Sequence, residues 1–192
     1  DCLQGSCWLN SMAMPGDADE QISKEAWKTT TTGGDMNFAA FYQRSIDTPD
    51  AFWREEAEKI DWHTPFSQVL DYSRPPFAKW FVGGTTNLCH NAVDRWVDSQ
   101  GDAAALIAIS TETNTERTYS FRELQREVER CAAILQSLGV VKGDRVLIYM
   151  PMIAEAAFAM LACARIGAVH SVVFGGFAAN SLASRIDDAQ PK

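Results

Sequence analysis

Histidine is scarce in this sequence of 192 residues, with three in all (His63, His90 and His170), and cationic side chains are outnumbered, 17 Lys and Arg against 25 Asp and Glu. The net charge of −8 excludes a surface built to neutralise a phosphate backbone, so nucleic acid is not an expected partner. Long apolar runs are missing too. The most hydrophobic stretch, Val146 to Phe177, is broken by Glu155, Arg165 and His170, well short of the roughly 18 uninterrupted apolar residues of a membrane helix. No membrane association is expected. The opening, Asp1-Cys-Leu-Gln-Gly-Ser-Cys-Trp8, has no basic residue ahead of its apolar ones and lacks the form of a secretory leader, which leaves a cytoplasmic address as the default. Cys2, Cys7, Cys89, Cys131 and Cys163 are odd in number and form no C-x-x-C pair, so they read as reduced and structural. Cys131 and Cys163 fall in apolar helical patterns, where cysteine behaves as a small hydrophobe.

What is present is an ordinary globular composition, 46% hydrophobic and 22% charged, close to the roughly 45–50% and about 25% of soluble domains. Residues 1–35 have almost no periodic apolar pattern and end in Thr29-Thr-Thr-Thr-Gly-Gly-Asp35. They read as a disordered leader of doubtful authenticity, with Met36 as the expected natural start; the alternative is a native extension anchored through Trp8 and Trp27.

Residues 36–100 are expected to be helical and irregular. Thr48-Pro49-Asp50 supplies an N-cap, a proline at the first helical position and an acidic first turn, leading into an amphipathic helix with Phe52, Trp53, Ala57 and Ile60. Asp61 to Thr86, with Pro65, Pro75, Pro76 and Gly83-Gly84, is expected to run over the surface with at most two short strands. Within it, Arg74-Pro75-Pro76 with Phe77, Lys79 and Trp80 reads as a loop anchored on the core. Asn87 to Val97 places Leu88, Ala92, Val93, Trp96 and Val97 on one helical face. Residues 101–192 read as the start of a second, α/β domain. Ala104 to Ser110 is a buried strand and Thr111 to Glu116 a turn. Ser120-Phe-Arg-Glu123 has capping-box spacing ahead of a helix carrying Leu124, Val128, Cys131, Leu135 and Leu138, which Gly139 ends. Then come a strand from Arg145 to Met150, a helix from Ile153 to Ile166 closed by Gly167, a strand from Ala168 to Phe174 and a helix from about Ala178 to Ala189. Strand, helix, strand predicts a parallel crossover. Two parallel strands leave faces and edges needing partners, so the domain reads as truncated, with exposed edges that make the piece marginally stable.

The candidate chemistry sits at Gly175-Gly176, after a parallel strand and before a helix, where ligands gather in open α/β sheets. The pair matches neither G-x-G-x-x-G nor the P-loop pattern, and a bare Gly-Gly at a strand end is more often only a tight turn. No catalytic residue and no metal ligand is assigned. His170, inside an apolar strand, reads as a core or interface histidine, Glu155 as a partner of its helix dipole, and His63 and His90 lack the clustered ligands of a metal site. No serine stands in a G-x-S-x-G elbow.

Three segments, Thr118-Tyr-Ser-Phe-Arg-Glu-Leu124, Gly139-Val-Val-Lys-Gly-Asp-Arg-Val146 and Tyr149-Met-Pro-Met-Ile-Ala-Glu-Ala156, together with Leu161-Ala-Cys-Ala-Arg-Ile-Gly-Ala-Val-His-Ser-Val-Val-Phe-Gly-Gly-Phe177, give the chain a family likeness. From Met36 onward it resembles the N-terminal part of the short-chain acyl-CoA synthetases, within the AMP-forming, adenylate-forming superfamily. Phe41-Tyr-Gln-Arg-Ser45, Ser73-Arg-Pro-Pro-Phe77 and Trp80-Phe-Val-Gly-Gly-Thr-Thr-Asn-Leu-Cys-His-Asn-Ala-Val-Asp-Arg-Trp96 are more similar to its propionate-activating branch than to its acetate-activating one. The resemblance implies that residues 101–192 begin an AMP-binding domain and that the parent enzyme is a ligase. Its substrates would be propionate or acetate, ATP and CoA, with Mg²⁺ as cofactor. It also implies that Phe174, Gly175 and Gly176 line a CoA site. The family's phosphate loop, nucleotide contacts and catalytic lysine have no match up to Lys192, so the piece by itself is expected to be inactive. The competing expectation is a non-catalytic binding or interaction module.

Overall fold

The structure is a computed structural model that describes residues 37–176 and 178–192; the expected leader over 1–35 lies outside the described residues. Two compact units divide at Pro49 and Asp50. In the first, helix α1 (Phe38–Asp47) opens on Asn37, whose side chain accepts the Ala39 amide at 3.0 Å. Phe38, Tyr42 and Ile46 repeat at i, i+4, i+8 along it, the spacing of one helical face. Thr48, expected to cap the next helix, instead closes α1, its amide and its hydroxyl both donating to the Arg44 carbonyl.

Helix α2 (Pro49–Ala57) follows at once and buries Phe52 and Ala57, while Trp53 stays partly exposed and Ile60 falls in the turn beyond. In the second unit, β1 (Gln68–Arg74) and β2 (Phe77–Val82) form an antiparallel hairpin in the register Leu70 opposite Trp80. Phe77 is 78% exposed, so the Arg74–Phe77 turn is not the core anchor that the sequence suggests. The anchor lies one step away, where Trp62, Phe66 and Phe81 meet at centroid distances of 5.2–5.4 Å.

The single helix expected over Asn87–Val97 is three pieces: α3 (Leu88–Ala92), a 3₁₀ turn (Asp94–Trp96) and α4 (Val97–Gln100). The buried line is Cys89, Val93, Val97, an i, i+4, i+8 series, and Leu88 points outward. Strands β3 (Ala104–Ser110) and β4 (Thr115–Ser120) pair antiparallel. β3 is not buried throughout. Leu106 and Ala108 pack on the core while Ile107 and Ile109 are exposed, the period of two that a one-sided strand imposes.

Helix α5 (Phe121–Ser137) starts at the expected capping box, both arms formed: the Ser120 hydroxyl accepts the Glu123 amide and the Glu123 carboxylate accepts the Ser120 amide. Its buried face is Leu124, Val128 and Ala132. Strand β5 (Arg145–Met150), helix α6 (Ala154–Ile166) and strand β6 (Val169–Phe174) make the expected β-α-β unit, with parallel pairing from Arg145 opposite Val169 to Met150 opposite Phe174. Gly167 closes α6 at φ +74°, a left-handed cap that glycine adopts without a Cβ penalty. Helix α7 (Ala179–Ala189) comes last. The main core lies where α5 and α6 pack, with Val128 and Ala162 fully buried and the Tyr119 and Phe158 rings edge to face at 5.2 Å.

Candidate functional site

Strands β5 and β6 are parallel, so their carboxyl ends lie together, and that end carries the three residues singled out by the sequence. Phe174 ends β6 with its side chain 59% exposed, and Gly175 and Gly176 form the turn that follows. Neither glycine has a positive φ; what each requires is space. A Cβ on Gly175 would stand 3.1 Å from the Met150 carbonyl carbon and the Pro151 nitrogen, so this turn lies directly against the backbone leaving β5. A Cβ on Gly176 would meet the edge of the Phe174 ring at 2.6 Å. From the neighbouring strand the Tyr149 hydroxyl donates to the Gly175 carbonyl at 3.0 Å. Tyr149 was not singled out by sequence reasoning. The available signal was a phenol at the outward position of an otherwise aliphatic strand, because a Tyr hydroxyl placed against protein takes a hydrogen-bond partner.

Beside this turn, the carboxyl ends of β5 and β6, the first turn of α6 and strands β3 and β4 border a cleft of about 710 Å³. Ile107, Ile109, Met152, Ile153, Met160 and Phe174 give it an apolar wall, and Arg117 and Glu155 bring charge. Arg117 stacks its guanidinium 4.3 Å from the centre of the Tyr119 ring. Glu155 lies in the first turn of α6, whose N-cap Ile153 offers no side-chain acceptor, so its carboxylate faces the positive end of the helix dipole, as expected.

The polar clusters elsewhere in this unit are joints. Arg165, on the last turn of α6, donates to both Asp94 carboxylate oxygens at 2.8 and 3.0 Å and to Glu129 of α5 at 2.9 Å. Asn87 adds its amide to the Ala164 and Arg165 carbonyls. Burial works against the Arg165 charge, but its hydrogen bonds to Asp94 and Cys89 outweigh that and hold the guanidinium protonated more firmly than usual. A second joint centres on Asp61, whose amide donates to the Asn91 side chain at 2.8 Å and whose carboxylate faces His90 Nε2 at 3.3 Å and Arg95 at 3.5 Å. The fold also sets the rings of His63 and His90 5.7 Å apart, although they are separated in sequence. Among the described residues, no group of three or more His, Cys, Asp or Glu is placed to hold a metal ion.

His170 is exposed on β6 rather than buried, because its strand presents alternate residues to solvent. Cys89 and Cys163 are buried and Cys131 partly so, all three as free thiols. Burial pushes each thiol above its ordinary pKa, which makes them packing residues rather than nucleophiles.

Residues 38–92 match the family described as acetyl-coenzyme A synthetase N-terminus, and residues 93–192 match the family described as AMP-binding enzyme. Over 156 residues, 81% of the chain, the sequence is 68% identical to the propionate–CoA ligase of Salmonella typhimurium and 65% identical to that of Escherichia coli. The same stretch covers 25% of each of those proteins, so the chain spans about a quarter of the length of the curated relatives it matches. Among solved structures, the acetoacetyl-CoA synthetase from Streptomyces lividans superposes with a TM-score of 0.75 at 32% identity, over 89% of this chain and 26% of that one. The fold is therefore the mixed α/β arrangement of the N-terminal part of an acyl-CoA synthetase.

Proposed function

The chain belongs to the AMP-binding enzyme family, and from that premise we propose that it forms the N-terminal quarter of a ligase that joins a short-chain acid, propionate ahead of acetate, to CoA. The observation that carries this reading is the identity over 156 residues to propionate–CoA ligases. In the proposed reaction a carboxylate oxygen of propionate attacks the α-phosphorus of ATP and expels pyrophosphate. The acyl carbon of the resulting adenylate then takes the sulfur of CoA and releases AMP. Adenylation matters because it turns an oxygen that leaves poorly into part of a stable leaving group. The address proposed with this activity is the cytoplasm; among the described residues, no helix is long and apolar enough to cross a membrane.

The share of the reaction assigned to this chain is the CoA end. Phe174 offers an exposed ring, and Gly175 and Gly176 keep the turn beside it free of side chains. A pantetheine arm or nucleotide can approach such a backbone closely. Among the described residues no group of three or more His, Cys, Asp or Glu is placed to hold a metal ion, so Mg²⁺ is assigned to no residue of this chain and no step is routed through it. ATP and the acid are held by the remaining three quarters of the enzyme, and the chain alone is inactive.

The test is propionate-dependent exchange of labelled pyrophosphate into ATP. None is expected from this chain alone. Full propionyl-CoA synthesis is expected when the chain replaces the 156 residues that it matches in the Salmonella typhimurium enzyme. Exchange by the isolated chain would overturn the division of labour, and a graft that makes no propionyl-CoA would overturn the assignment of the chain to this ligase.

A further inference from the structure

Tyr149 and the Gly175–Gly176 turn belong to different strands, and the fold joins them through the 3.0 Å hydrogen bond from the Tyr149 hydroxyl to the Gly175 carbonyl. The turn is confined from two directions. On one side Gly175 lies against the Met150–Pro151 backbone so closely that a Cβ would stand at 3.1 Å. On the other, the phenol fixes the rotation of the Gly175–Gly176 peptide by holding its carbonyl. A glycine pair without such a restraint samples many backbone states, and a loop that must meet a ligand through its backbone binds more tightly when it is already ordered. β5 and β6 are in register at this end, with Tyr149 opposite Val173 and Met150 opposite Phe174, so the tyrosine is carried on a rigid element.

We propose that Tyr149 is a positioning residue for CoA: its hydroxyl sets the Gly175–Gly176 peptide, and through it the Phe174 ring, in the orientation that receives the thiol substrate. This rests on the assignment of Phe174, Gly175 and Gly176 to the CoA site. Tyr149 acts through the Gly175 carbonyl and has no part in adenylation, so its effect falls on one half-reaction.

The experiment uses the full-length graft in the Salmonella typhimurium enzyme, with Tyr149→Phe and, separately, Gly176→Ala. Tyr149→Phe keeps the ring and removes only the hydroxyl. The expected result is a rise in KM for CoA of about fivefold, the equivalent of one lost hydrogen bond, with pyrophosphate exchange unchanged. Gly176→Ala, whose Cβ would displace the Phe174 ring, is expected to raise KM for CoA as well. If Gly176→Ala raises it and Tyr149→Phe does not, the positioning role is wrong and the CoA assignment stands. If neither changes it, the CoA assignment itself fails. A Tyr149→Phe enzyme that loses both half-reactions equally would show a merely structural tyrosine and overturn the proposal.

Discussion

Arg165 shows how one charged residue on an otherwise apolar helix finds its purpose only in three dimensions. Leu161-Ala-Cys-Ala-Arg165 looks like core, and its one cation closes the joint between α6, the Asp94 turn and α5. Arg165→Ala leaves Asp94, whose side chain is 20% exposed, without its main partner. The expected loss is about 2 kcal/mol, the usual cost of hydrogen bonds to a charged group, read as a lower urea midpoint with unchanged slope. Asp144 gives a pH signature instead. The Val141 amide, and then Lys192, hold its carboxyl below the ordinary aspartate pKa. A carboxyl lowered on folding adds stability that is present above its unfolded pKa and lost as pH falls towards the folded value. Thermal melts are therefore expected to drop as the pH goes below about 4, the ordinary aspartate range, and Asp144→Asn is expected to flatten that part of the profile.

Elements whose signals are local formed where the sequence placed them. The Ser120 capping box is one: both reciprocal bonds need only the four residues of the motif, and Ser120→Ala is expected to cost about 1 kcal/mol in chemical unfolding. Gly167 is another, since a left-handed cap after α6 follows from the helix ending there. Gly167→Ala meets a positive φ and a Lys142 side-chain carbon 2.9 Å from the new Cβ, and the expected loss in the same assay is about 1 kcal/mol or more. Elements set by neighbours were less legible. The helix over Asn87–Val97 broke at Val93, whose φ of −128° leaves the helical region. That break aims Asp94 at Arg165, a residue 71 positions away. Helix α1 carries little local signal, because its apolar stripe spans under three turns and lies between a polar run and a proline.

For the molecule as a whole, the unpaired surfaces matter most. Ile107, Ile109, Met152, Val172 and Phe174 are all exposed by half or more, and all five line the same cleft, Ile107 and Ile109 from β3, Val172 and Phe174 from β6 and Met152 from the turn between β5 and α6. An apolar surface of this kind on an isolated domain drives self-association. The chain by itself is expected to bind a hydrophobic dye and to scatter light at concentrations where the double variant Ile109→Lys, Met152→Lys stays dispersed, with a melting temperature no lower than the parent's. At the outer edge of β5, the Lys192 amide already donates to the Arg145 carbonyl at 3.0 Å and Arg145 holds the Ala189 and Gln190 carbonyls.

The sequence alone determined what depends on neighbours along the chain: the period of helices α5 and α6, the capping box, the glycine that closes α6, and the β-α-β order that brings Phe174, Gly175 and Gly176 to a strand end. Tertiary structure decided what depends on residues distant in sequence. It faced Ile107 and Ile109 outward, placed His170 on the surface, set His63 beside His90, and brought the Tyr149 hydroxyl to the Gly175 carbonyl. Periodicity specifies which residues share a face, whereas the neighbour that covers the face, or the hydroxyl that crosses to the next strand, is chosen by packing between segments that the linear order keeps apart.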